Sequence, residues 1–195
     1  MVLQLKKRTM ALAGVIMTGY LIFHMLSNLS FLSESSFNQL YAFYHSSGLR
    51  WLVLALMVIA IGIHVKIAIQ IRTVNAKARR IDYARHDKFK IPALFVTLSI
   101  IFLLSFIVIH IVQTLLFDSA QLYSELSQLF KSEFMLLFYL AGLFVLTMHL
   151  QHSLANVLQT LGKTSVIHHA LVWGGVLSLT GGFALIPLYI YFVMP

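Results

Sequence analysis

Four histidines stand inside apolar runs of this chain: His24, His64, His110 and His149. An ionisable ring in hydrocarbon is costly unless something binds it, so an imidazole inside a membrane helix marks a functional site by default. Neutral imidazole is the commonest side-chain metal ligand, and none of the four runs contains an acidic residue that could pair with a ring instead. With no cysteine in the chain, a thiolate-held iron–sulfur cluster, a c-type haem and a disulfide are all excluded. Any metal must be held by nitrogen or oxygen, and nine histidines are available.

The elements that carry these rings follow from composition. The chain has 195 residues, 59% of them hydrophobic and 10% charged, too apolar for a soluble domain of that length. Crossing about 30 Å of hydrocarbon takes about 20 residues. Five runs are long enough: 9–31, 51–71, 92–117, 134–160 and 167–193. They fill the chain and predict an all-α, single-domain membrane bundle. Lys6-Lys7-Arg8 precedes the first run as it would in a signal peptide, but that run is long and no clear small-residue cleavage site ends it, so it reads as a retained helix. Pro92 suits the first turn of the third helix, and Pro187 is expected to kink the fifth.

The net charge of +8 sits beside the apolar runs rather than on a soluble face, so it points to orientation in a bilayer and not to nucleic acid. Lys6, Lys7, Arg8, Arg72, Lys77, Arg79, Arg80, Arg85, Lys88, Lys90 and Lys163 fall on one side. Only Arg50 and Lys131 lie in loops on the other, beside Glu34, Asp118, Glu125 and Glu133. By the positive-inside rule the N-terminus is expected in the cytoplasm and Pro195 outside. The inner loop, 72–91, can engage anionic lipid, dock a cytoplasmic partner, or do both. The outer loop, 32–50, carries Phe37, Tyr41, Phe43 and Tyr44 and is expected to hold a short interfacial segment.

Depth then sorts the histidines. At 1.5 Å of rise per residue, His24 lies about 22 Å and His110 about 27 Å from the cytoplasmic ends of their helices, while His64 lies about 10 Å and His149 about 15 Å from theirs. Two matched pairs emerge, each from helices that are not sequence neighbours, as bis-imidazole ligation of a haem within a bundle requires. One buried histidine is most often a hydrogen-bonded core side chain. Four, one per helix at matched depths, look like axial ligands for two haems. Gly14, Gly19, Gly62 and Gly142 lie near the pairs and would let a flat macrocycle or a helix approach the backbone.

Other candidates surround this set. His152, one turn from His149, is an alternative fourth ligand or a contact for a haem propionate. Lys66 could snorkel to the interface or pair with a propionate. His168 and His169 open the fifth helix, and His45 and His86 fall in loops.

Order, spacing and helix assignment together resemble the dihaem, five-helix cytochrome b subunit of succinate:quinone oxidoreductases, the succinate dehydrogenases and fumarate reductases. The resemblance covers nearly the whole chain: Gly14 to His24 with Asn28, Phe37-Asn38, His64 with a basic loop containing Tyr83, His110, and the run from His149 through His152 and Gln159 to Gly162. It implies that His64 and His149 hold a haem b near the cytoplasmic subunits and that His24 and His110 hold a distal one. It also implies a flavoprotein subunit with FAD and an iron–sulfur subunit on the cytoplasmic side, a quinone such as menaquinone as electron partner, and a place in a bacterial cytoplasmic membrane. Glu34, Tyr41 and His45 are the quinone-site candidates, by side and chemistry. Such a subunit transfers electrons and anchors its partners; it does not act on succinate alone.

Three rivals remain open on the residues. A haem b subunit of a formate dehydrogenase or hydrogenase shares the chemistry but not the one-histidine-per-helix order. A membrane di-iron enzyme could use His149, His152, His168 and His169. A non-haem transporter could use the histidines as a proton path.

Overall fold

A computed structural model describes residues 2–78, 93–160, 162 and 165–194. Every regular element among them is helical. The five expected spans are α1 (Val2–Leu29), α3 (Leu49–Ala78), α4 (Ala93–Leu116), α6 (Glu133–Thr160) and α7 (Val166–Phe192), with two shorter helices, α2 (Glu34–Ser46) and α5 (Leu122–Lys131), between them. All five long helices are long and apolar enough to cross a membrane. The charged loop with Arg79, Arg80, Tyr83, Arg85, His86, Lys88 and Lys90, and the positions of Pro92 and Lys163, lie outside the described residues.

Helix ends follow local chemistry. The Ser33 hydroxyl accepts from the Ser36 backbone N–H at 3.4 Å and caps α2, with Glu34 in its first turn against the helix dipole. The Ser165 hydroxyl caps α7 by accepting from the His168 N–H. Gly48, at φ +69°, makes the turn between α2 and α3, a left-handed conformation that costs glycine little. Helix α7 runs unbroken through Pro187, which is buried.

Two helices extend well past the apolar runs. α1 begins at Val2 and α3 reaches Ala78, because Lys and Arg end a hydropathy window without ending a helix: both are good helix formers. The segment after the first span is likewise a full helix, α2, held to the bundle by Phe37, which is 1% exposed.

The long helices pack side by side in the order α3, α1, α7, α6, α4. Neither α1 with α4 nor α3 with α6 is among the pairs that lie against each other, so the ring has an open interior. At one end the interior is capped by a buried cluster of Phe31, Phe37, Leu122, Phe130 and Tyr139, where α2 and α5 meet the long helices. Aromatic rings carry much of this cap: Phe31 stacks on Tyr123 at 4.3 Å and meets Phe37 edge-on at 5.2 Å. Such pairs add about 0.5–1.5 kcal/mol each beyond burial. A second cluster, Leu150, Val176 and Leu179, joins α6 to α7.

Outside the ring, large apolar side chains are exposed on the protein's surface, including Leu12, Leu52, Ile59 and Phe144. A surface of that kind suits hydrocarbon.

Candidate functional site

The open interior is a cavity of about 1680 Å³ that reaches from Arg8 and Arg72 at one end to Tyr41 and His45 at the other. His24, His64, His110 and His149 all line it. His24 on α1 faces His110 on α4 with ring centroids 5.9 Å apart, and His64 on α3 faces His149 on α6 at 6.3 Å. Each pair therefore spans the ring between helices that do not pack together.

The spacing has a chemical meaning. Two imidazoles holding one metal in a line would set their centroids about 6 Å apart, from two metal–nitrogen bonds of about 2 Å and a ring radius of about 1 Å at each end. Each pair therefore offers two facing imidazoles. The volume exceeds the roughly 300–1,000 Å³ of an ordinary ligand pocket. Residues and cavity thus fit the haems that the sequence suggests.

The four rings are not equivalent. Tyr20 stacks on His24 at 5.5 Å, and Phe106 stacks on His110 at 6.3 Å, each from one turn earlier in its helix. Phe183 of α7 closes on His24 at 5.5 Å. At the other pair, Gly14 of α1 lies beside the His64 ring. A core histidine held for packing is normally hydrogen-bonded. His64 Nδ1 is buried and has no such bond among the described residues, so hydrogen bonding does not account for its burial.

The remaining candidates divide. His152 is exposed on the cavity wall, bonded to Asn156 at 3.0 Å, and it is His149 whose ring meets His64. Lys66 is exposed and does not line the cavity. Arg8 and Arg72 do, with Arg72 donating to Thr97 Oγ1 at 3.0 Å and so tying α3 to α4. Their exposed positions escape a search for charges inside apolar runs. At the opposite end Tyr41 and His45 line the cavity, whereas Glu34 is exposed at the start of α2 and does not. Tyr41 donates to Asn28 Oδ1 at 3.1 Å, and burial pushes its phenol up to about 12. His45 Nδ1 accepts from Arg50 at 3.3 Å; burial, then the neighbouring guanidinium, lowers its pKa. His168 and His169 are half-buried in the first turn of α7, where His168 bonds the capping Ser165.

Behind His110 stands a group that hydropathy does not reveal. Tyr139 of α6 lies 3.3 Å from His110 Nδ1 and donates to Gln113 Oε1 at 2.8 Å. Gln113 was legible only as a polar residue three places after His110 on an apolar helix; nothing in the sequence pairs Tyr139 with either.

In comparisons with protein-family models, curated proteins and solved structures, nothing matches this chain.

Proposed function

We propose that this chain is the dihaem cytochrome b subunit of a succinate dehydrogenase or fumarate reductase complex, with His64 and His149 as axial ligands of one haem b and His24 and His110 as those of the other. The observation that carries the reading is the pair of facing imidazole couples across a single cavity, each couple drawn from two different long helices. Bound there, two haems would supply one-electron transfer between a membrane quinone and an iron–sulfur subunit.

The chain's own part is to hold, insulate and orient. Its four imidazoles would hold the haem irons, and hydrogen bonds to those rings would tune them. The apolar helices keep the path dry and of low dielectric. Arg8 and Arg72 at one mouth are placed to neutralise carboxylates such as propionates. Tyr41 and His45 at the other are a hydroxyl and an imidazole that a quinone oxygen could meet; Glu34 is the weaker candidate, since it stands outside the cavity.

The orientation follows from charge. With the basic loop and N-terminus in the cytoplasm, the flavoprotein and iron–sulfur partners dock at the Arg8/Arg72 end, next to the His64/His149 pair, and the quinone candidates lie near the outer face of a bacterial cytoplasmic membrane.

A reduced-minus-oxidised optical spectrum of the purified protein tests this. Bands of b-type haem are expected. A colourless protein, recovered folded from cells with ample haem, overturns it and leaves the proton-path reading of the histidines.

A further inference from the structure

Gln113 settles a proton that the histidine alone leaves undecided. Its Nε2 lies 3.5 Å from Met135 Sδ. A thioether can only accept, so the amide turns its NH2 to the sulfur and its oxygen to Tyr139. The Tyr139 hydroxyl has one proton, and it goes to Gln113 Oε1 at 2.8 Å. What remains toward His110, 3.3 Å away, is a lone pair. His110 Nδ1 must therefore carry the hydrogen, leaving the lone pair on Nε2. With the amide reversed, the bond to the sulfur would be lost, the bonds from Gln113 to Tyr139 and from Tyr139 to His110 would reverse, and His110 would carry its proton on Nε2, the wrong tautomer for a ligand through that atom.

We infer that Tyr139, set by Gln113, is a positioning residue of the His24/His110 site: it fixes the Nδ1–H tautomer of His110 and makes that ring the more basic ligand. The inference rests on the reading of His24 and His110 as one haem's ligands. A ligating imidazole that donates its other N–H to an acceptor is oriented and made more electron-donating, which favours the oxidised iron and lowers the potential of the centre. At the other site His64 Nδ1 has no such partner among the described residues.

Tyr139→Phe removes the acceptor while keeping a ring among Phe106, Phe130 and Phe138, which surround it. A potentiometric titration of the purified protein, followed optically and by low-temperature EPR, reads the two centres separately. One centre is expected to rise in midpoint potential, by a shift of the order of a tenfold change in the relative affinity for the two oxidation states, about 59 mV for a one-electron couple. The other is expected to stay where it is. Gln113→Leu leaves the Tyr139 ring in place, deprives its hydroxyl of the stronger acceptor, and is expected to shift the same centre the same way by less. That variant carries the test alone if Tyr139→Phe loses a haem. No shift, a fall, or equal movement of both centres overturns the relay. A wild-type protein without haem overturns the reading beneath it instead.

Discussion

His45 closes the turn between α2 and α3 by accepting a hydrogen bond from Arg50, a bond only the neutral ring can make. Its pKa is lowered in the fold, by burial first and by Arg50 second. The sign follows: the contribution is present above the unfolded histidine value of about 6.5 and is lost as pH falls through the lower folded value. Arg50 and Tyr44 are the groups around it, and neither can take up the proton at that pH. The protection factors of the backbone amides at 46–50, which allow for the slower intrinsic exchange in acid, are expected to fall as pH drops below the ordinary histidine range. In His45→Gln, which keeps an acceptor for Arg50, the protection should lose that pH dependence. If wild type and variant respond identically, the His45–Arg50 bond does not hold this turn.

At the scale of elements, the decisive contact is between α4 and α6. A Cβ on Gly142 would fall 2.5 Å from the Phe106 ring, which in turn stacks on His110. Gly142→Val must push these helices apart, at a cost of about 1–3 kcal/mol. Gly19→Ala, where an added Cβ meets nothing within 4 Å, is the control. The valine variant is expected to melt lower in detergent while the alanine variant does not; equal melting would place the α4–α6 seam elsewhere. The five spans were legible because hydrocarbon thickness demands uninterrupted apolar runs. α5 was not, although Leu122, Leu126, Leu129 and Phe130 trace one helical face: ten residues are too few for a span, and the face has meaning only against the α6 and α7 surfaces it covers. Depth along each helix was enough to group the histidines, since rise per residue is fixed. Tyr139, Arg8 and Arg72 stayed hidden because their roles depend on which helices adjoin across the ring.

For the molecule as a whole, one arrangement accounts for the outward apolar faces, the open interior and the paired rings. The helices bury little against each other on the diagonals, and the space between those diagonals is where the four imidazoles meet. A bundle that only packed would fill that space with side chains; this one lines it with four imidazoles. Arg8 and Arg72 line one end of the cavity, and Tyr41, His45 and Arg50 line the other. The most direct test of the pairing is the haem content and spectrum of single alanine variants at His24, His64, His110, His149 and His152. The account expects the first four each to keep one haem, His24 and His110 losing the same centre and His64 and His149 the other, with His152→Ala keeping both. Two haems surviving the loss of any of the four, or His24 and His149 sharing a centre, would contradict it.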